Sequence, residues 1–368
     1  MSVPHEVVFF TGATGLVGGD VLRRMLAADP ALRAVVLVRD AGRWEQVSTR
    51  LALPAGRVGA VVGDVTRPGL GLSADTRVRL AREITAVVHA AADVVFSRPL
   101  AVARAVNVAG VRHLLDVAAG WPRLRRFAHV STAFVAGRRV GRILEGEERG
   151  DAGWVNAYEQ SKHEAEWLVR ASGRDWVIFR PSTIVCDSAA GGVTQYNAVH
   201  LGLRLLHDSL APMLPAAATS AIDVVPRDYV AAAIAVLALR QDLAGRTLQL
   251  CAGSGALPVD ELLDVTWQAW SRRPEWRRRG IPRPVLTDIA TYHRFELAVE
   301  ETGDSKLRQA VRALSYFAPQ LALPKAFDTR AADAALGGPA PAVRTYWARM
   351  LEHLVSVGWC EAVKGVAA

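Results

Sequence analysis

The octapeptide Thr11-Gly-Ala-Thr-Gly-Leu-Val-Gly18, set directly after the apolar run 7–10, constrains this chain more than any other feature. Glycines at 12, 15 and 18 between a predicted strand and a predicted helix answer three separate needs. Gly12 permits a tight turn, Gly15 lets the backbone approach a ligand's pyrophosphate, and Gly18 lets the helix pack closely on the strand. The free N–H groups at that helix start would face anionic phosphates. A dinucleotide seat of this kind belongs to a parallel sheet flanked by helices.

Short apolar or β-branched runs at 34–38, 58–62, 86–89, 127–130 and 177–179 repeat the strand signature, with stretches between them long enough for helices. Apolar spacing of three and four residues predicts helices over 20–28, 101–119 and 158–171. The expected fold class is α/β, a Rossmann-type doubly wound parallel sheet with a smaller, mainly helical C-terminal substrate-binding region. Residues 1–185 read as the NADP-binding domain. Residues 186–368 read as a substrate-binding region interwoven with it, a strand and helix near 222–250 returning to the core. Beyond Arg180-Pro181 the pattern loosens around Gly191-Gly192, Pro212, Pro215 and Pro226. A striped helix at 200–210 fits a cover for a substrate pocket or an ordinary core helix equally well. A closing helix is expected over 345–357.

At 368 residues, 51% hydrophobic and 22% charged, the chain has ample material for a buried core. Its net charge of +8 comes from 44 basic against 36 acidic residues, yet only Lys162, Lys306, Lys325 and Lys364 are lysines. The arginine and alanine excess partly reflects codon composition, and no nucleic-acid-binding signature accompanies it, so no nucleic-acid partner is expected. Cys186, Cys251 and Cys360 are odd in number and far apart, as free thiols in a reducing compartment would be. No charged-then-apolar leader precedes Val7. The longest uncharged apolar run, 229–239, is well short of the ~18 residues of a spanning helix. A cytoplasmic protein without a transmembrane segment is the expectation.

Tyr158 and Lys162 lie four apart on a predicted helix, so their side chains share a face. A free tyrosine titrates near ~10, and bringing it to neutrality needs roughly 4 kcal/mol of phenolate stabilisation, for which a nearby ammonium is one source. The pair suits a proton donor with a cationic partner, and Ser131-Thr132 adds hydroxyls at the end of an earlier strand. The end of the second strand reads Val38-Arg39-Asp40. An acidic residue there would bond a ribose 2′-hydroxyl and an arginine a 2′-phosphate. With Arg39 first and Arg43 and Arg50 following, NADPH is favoured over NADH. Asp64, after the third strand, would lie near the adenine or serve as a turn residue.

These motifs are joined by Leu37-Val-Arg39, Gly63-Asp-Val-Thr-Arg-Pro-Gly-Leu-Gly-Leu72, Val88-His-Ala-Ala-Ala92, Asn107-Val-Ala-Gly110 and Val130-Ser-Thr-Ala133. With Arg180-Pro181 and Val225-Pro-Arg-Asp-Tyr-Val230 the set resembles the extended short-chain dehydrogenase/reductase superfamily over roughly residues 5–235. The 63–72 motif narrows the likeness to the branch of fatty acyl-CoA reductases, male sterility proteins and terminal thioester reductase domains. The resemblance implies that Thr132, Tyr158 and Lys162 are catalytic, Tyr158 as donor and Lys162 as ribose clamp, with Ser131 facing away or assisting. It also implies that Gly12, Thr14, Gly15, Leu16, Val17, Gly18, Arg39, Arg50, Asp64 and Val65 bind the cofactor. Ala90, Ala91, Ala92, Asn107, Tyr158, Lys162, Pro181 and Ser182 complete that set. His163, Val111 and Arg227 depart from the family pattern and bear on the substrate.

The implied activity is NADPH-dependent reduction of an acyl thioester, CoA-linked or on an acyl carrier protein, to an aldehyde, with a further step to the alcohol left open. A ketone or hydroxysteroid-type reductase, or a nucleotide-sugar epimerase or dehydratase, would use the same scaffold. A non-catalytic NADP-binding regulator is a third reading, against which the intact Thr132, Tyr158 and Lys162 stand. His89, His129 and His163 lack ligand spacing and read as core or edge histidines, so no metal is expected. Trp267, Trp270 and Trp276 read as packing, whereas Trp154 is near enough to Tyr158 to flank a substrate. Arg272, Arg273, Arg277, Arg278, Arg279 and Arg283 form a solvated turn or a landing surface for a phosphate or an acidic partner.

Overall fold

The computed structural model describes residues 6–147, 149–315 and 317–359; the Cys360 thiol lies outside them. Seven strands form one sheet: β1 (Val7–Thr11), β2 (Arg33–Val38), β3 (Val58–Val62), β4 (Ala86–His89), β5 (Arg126–Val130), β6 (Trp176–Pro181) and β7 (Arg246–Leu250). Their order is β3-β2-β1-β4-β5-β6-β7, every pairing parallel. The progression reverses between β1 and β4, so the loops leaving these strands diverge and open a crevice at the carboxyl edge.

Side chains alternate across each strand, and both faces are covered. On one face Phe10, Val36, Val88 and Ala128 pack under α1 (Gly18–Ala28), α2 (Ala41–Arg50) and later elements; on the other Phe9, Val87, Phe127 and Ile178 pack under α3 (Ala74–Glu83) and neighbouring helices. Phe9 meets Trp121 edge-on at 5.2 Å. A fully buried side chain of this size contributes roughly 1.5–3 kcal/mol, which is why central strands tolerate few polar residues.

The single helix expected over 101–119 is two, α4 (Leu100–Asn107) and α5 (Ala109–Ala119), meeting at Val108. Asn107 turns its side chain onto the Asp93 backbone, and Gly110 packs against Val65, so the path bends there. α6 (Ala157–Ala171) crosses the same face. The helix expected at 200–210 is α7 (Ala198–His207), begun earlier by a reciprocal cap between Asn197 and His200 and stopped by Ser209 at φ +63. α8 (Arg227–Leu237) packs on α1, and β7 extends the sheet beside β6.

The remaining helices are α9 (Val259–Ser271), α10 (Pro274–Arg278), α11 (Ile289–Glu300), α12 (Ser305–Ser315), α13 (Ala318–Leu321), α14 (Arg330–Leu336) and α15 (Trp347–Ser356). Among the described residues no helix is long and apolar enough to cross a membrane.

Candidate active site

Gly12 has φ +79, and a Cβ there would stand 2.5 Å from the Ala90 carbonyl carbon and the Ala91 nitrogen. The turn therefore demands glycine both for its backbone and for the space that the exit of β4 occupies. Gly18 is held tighter still, since its Cβ would stand 2.2 Å from the Gly12 carbonyl oxygen. Gly15 closes the turn, its N–H donating to Gly12 at 3.0 Å, and is exposed. Thr14, Leu16 and Val17 are half-buried along the same loop. No side chain caps α1 at Val17, which leaves its first N–H groups available to an anion.

Arg39 is exposed at the end of β2, and Asp40 is spent on capping α2, its Oδ1 accepting from the Arg43 N–H at 3.0 Å. Leu51 packs against Gly19, bringing the end of α2 and the exposed Arg50 back toward the first turn of α1. Asp64 builds a turn, its Oδ1 accepting from the Thr66 N–H at 2.8 Å and hydroxyl at 2.9 Å. Partial burial works against its charge, but the Thr66 bonds and then Arg39 and Arg67 hold the carboxyl below its usual range. Asp64 is thus both a turn residue and a near neighbour of Arg39. Val65 packs against Gly110. Asn107 is buried with its amide committed: Oδ1 accepts from Asp93 N–H at 2.8 Å, and Nδ2 donates to Asp93 carbonyl at 3.0 Å and Ser161 Oγ at 2.9 Å. It ties the loop that carries Ala90, Ala91 and Ala92 to α6. Pro181 and Ser182 are buried at the end of β6.

α6 starts at Asn156, whose side chain accepts from the Glu159 N–H at 3.0 Å, and carries Tyr158 and Lys162 one turn apart on its buried face. Thr132 hydrogen-bonds the Tyr158 side chain, and the Phe96 ring lies 5.4 Å from the Tyr158 ring. Burial pushes the Tyr158 phenol up to about 12, opposed by the Thr132 bond and reinforced by Glu159. It is a neutral acid at physiological pH. Lys162 Nζ donates to the Val130 carbonyl at 2.8 Å and lies 3.4 Å from His129 Nε2; burial brings its ammonium down to about 8, with Glu166 opposing. The Lys162 ammonium is turned to Val130 and His129, and desolvation dominates at Tyr158. Ser131 faces away, its hydroxyl beside Glu166.

Behind the site His89 and His129 stack at 5.4 Å, and His89 Nδ1 bonds Thr11 Oγ1 at 2.7 Å. Burial and then the Lys162 charge hold His89 down at about 3 and His129 well below its usual value, so both rings are neutral. Glu166 meets Arg180 in a two-pronged pair at 2.6 and 2.9 Å, both side chains 3% exposed. Burial opposes the Glu166 charge, but Arg180 outweighs it and holds the carboxyl at about 2, joining α6 to β6. Trp154 packs on His163 at 5.1 Å.

Past Phe96 a cavity of about 640 Å³ opens between residues 94–97, α7 and α12, within the usual size of a small-molecule site. Val95, Leu201, Leu205, Ala310 and Phe317 make apolar walls, with Arg204, Asp208, Lys306 and Arg312 among the polar lining. Along α7, Leu203 and Leu206 join the core, while Leu201 and Leu205 pack on that core and also line the cavity. The arginine cluster divides. Arg283 pairs with Asp260 and Asp264, and Arg272 with Glu352; Arg277, Arg278 and Arg279 are exposed, Arg279 acting on the cavity residue Asp208. Trp267, Trp270 and Trp276 pack on one another at 5.4–5.8 Å.

Residues 10–234 match the NAD-binding family described as Male sterility protein. The chain belongs to that family. Membership makes it an extended short-chain dehydrogenase/reductase and places it among the nicotinamide-dependent oxidoreductases. Among similar proteins, fatty acyl-CoA reductase wat of Drosophila melanogaster is 30% identical over 42% of this chain and 33% of its own length. The L-2-aminoadipate reductase large subunit of Penicillium chrysogenum is 26% identical over 72% of this chain and 20% of its own. The chain spans half or less of the length of the curated relatives it matches. The terminal R domain from the myxalamid PKS-NRPS biosynthetic pathway has a similar structure, with TM-score 0.78 and 28% identity, covering 98% of this chain and 93% of that one. UDP-glucuronic acid 4-epimerase from Bacillus cereus, at 15% identity, TM-score 0.63 and coverage of 95% and 99%, shares the fold.

Three features of the site escape the sequence. Phe96 has no motif to mark it, and His129 is a strand residue whose role depends on where Lys162 points. The third is a buried chain from Glu159 through Gln320 to Lys325. Its signal was present: a lysine in a chain that otherwise uses arginine.

Proposed function

We propose that this chain is an NADPH-dependent reductase of acyl thioesters, presented as acyl-CoA or on an acyl carrier protein, which releases an aldehyde and a free thiol. The observation that carries the reading is the junction of a protonated Tyr158, bonded to Thr132, with an apolar cavity that begins at Phe96. Residues 1–185 would hold the cofactor and 186–368 shape the substrate site. The loop 12–18 fits a pyrophosphate by its glycine-only approaches and uncapped helix start. Arg39 and Arg50 suit a 2′-phosphate, while Asp40 is engaged in capping α2.

When bound, the nicotinamide supplies the hydride. Thr132 and Tyr158 hydroxyls receive the thioester carbonyl oxygen and stabilise the oxyanion as charge develops on it. Tyr158 Oη gives its proton to that oxygen, with Lys162 one turn away on the same helix face to offset the phenolate left behind. The carbon–sulfur bond of the hemithioacetal then breaks. Its electron pair leaves with sulfur, the hydroxyl proton ends on the thiol, and the carbonyl of the aldehyde forms.

The apolar cavity suits an acyl chain better than a sugar, which separates this reading from an epimerase on the same scaffold. Exposed Arg277, Arg278 and Arg279 would receive a phosphorylated handle or an acidic carrier surface outside the cavity. The buried thiols of Cys186 and Cys251 fit a cytoplasmic setting. The test follows reduced-nicotinamide absorbance with acyl-CoAs, carrier-bound acyl thioesters, ketones and nucleotide sugars in parallel. Oxidation of NADPH dependent on thioester is expected; turnover confined to ketones or nucleotide sugars would overturn the reading.

A further inference from the structure

Lys162 and Lys325 are both buried, and the mechanism uses only the first. Lys325 sits in the short strand Lys325–Phe327, paired with Gly141–Ile143, and its Nζ donates to Gln320 Oε1 at 3.0 Å. Gln320, on α13, donates through Nε2 to Glu159 Oε1. Glu159 is the residue after Tyr158 and 1% exposed; its Oε2 accepts from the Val155 N–H at 2.9 Å and its Oε1 from Asn156 Nδ2 at 3.2 Å. Phe317, three residues before Gln320, walls the substrate cavity. One buried polar chain thus joins the cavity wall to the start of the helix that carries the proton donor.

We propose that Lys325 and Gln320 are positioning residues, which balance the Glu159 carboxylate behind Tyr158 and so fix the start of α6 and the cavity wall in one arrangement. A buried carboxylate persists only with a partner, and an unbalanced one acts on its neighbours over short distances in a dry interior. The charged groups around it are few. Arg138 acts on Glu159 beside Lys325. Tyr158 meets Glu159 and the Thr132 hydroxyl, while Lys162 on its own helix is committed to Val130 and His129. Asp223 shares a cavity of about 40 Å³ with Lys325, but its oxygens accept the Ala252 and Gly253 N–H groups.

Burial already pushes Glu159 up to about 7 against the opposing pull of its hydrogen bonds, Lys325 and Arg138, and its charge raises the Tyr158 phenol. Without Lys325 the carboxyl titrates higher, and above that point an unbalanced charge makes Tyr158 a weaker acid. The defect therefore grows as pH rises toward about 8; burial brings the Lys325 ammonium down to about 8, and above that point the wild-type lysine no longer balances the carboxylate either.

The inference rests on Tyr158 as proton donor, and single-turnover reduction of an acyl-CoA by NADPH from pH 6 to pH 9 tests it in the full chain. The ratio of wild-type to Lys325→Met rate should grow by up to ~10-fold from pH 6 to pH 8 and fall back by pH 9, where the wild-type lysine has also lost its charge, and the growth should vanish in Glu159→Gln/Lys325→Met. Parallel profiles for wild type and Lys325→Met, or a double variant with the alkaline loss intact, would overturn it. If Lys325→Met fails to fold, Gln320→Leu cuts the same chain and must show the same loss, relieved by Glu159→Gln. Retained reduction in Tyr158→Phe would instead overturn the proton-donor reading.

Discussion

At the carboxyl edge of the sheet, geometry dictates residue identity: nothing larger than glycine fits at positions 12 and 18, where a Cβ would meet backbone at 2.5 and 2.2 Å. Across the cavity, α7 and α12 present leucines and alanines that other apolar side chains of similar volume could replace. The first region is set by close backbone approach and a fixed hydroxyl pair, the second by volume. On the proposed reading, chemistry and cofactor binding would stay fixed while the acyl chain accepted changed through the helices alone.

The most severe way to break this contrast is Gly18→Ala. Because the clash is with backbone, α1 must move, and a loss of about 1–3 kcal/mol of stability together with cofactor binding is expected. Thermal melts and calorimetric NADPH titration read both; wild-type affinity in this variant would remove the claim of a rigid edge.

Arg39→Ala sharpens the same side of the comparison. A charge-assisted phosphate contact is worth ~1.5–3 kcal/mol, so NADPH affinity should fall by roughly ten- to a hundredfold and NADH affinity hardly change. Equal losses for the two cofactors would assign Arg39 a general role instead of a 2′-phosphate contact.

Ala313→Trp tests the adaptable side with the smallest effect. Ala313 lines the cavity from α12, and filling that space should lower kcat/KM for a long acyl-CoA by ~10-fold while sparing a short one. A uniform fall across chain lengths would mean that the cavity is not the acyl site.

How much of this was legible in the sequence follows the same divide. The six strands read from apolar runs all lie in the sheet: five because a strand buried on both faces must be apolar throughout, and the mostly exposed edge strand β3 through its valines. The glycine turn was legible because its backbone admits no other residue type, and the shared buried face of Tyr158 and Lys162 because four residues make about one helical turn. The break at Val108 was not, since it depends on where Asn107 finds partners, residues away in Asp93 and Ser161. Nor was the cavity, which is assembled from pieces distant in sequence, residues 94–97, α7 and α12, none carrying a motif.

Tyr158→Phe tests the central claim most directly, because it removes one hydroxyl and leaves the ring against Phe96. Single-turnover reduction of an acyl-CoA, measured beside calorimetric NADPH binding, should fall by ~10²–10⁴-fold with cofactor affinity nearly unchanged. Reduction at close to the wild-type rate would contradict the account, since no proton would then need to come from Tyr158.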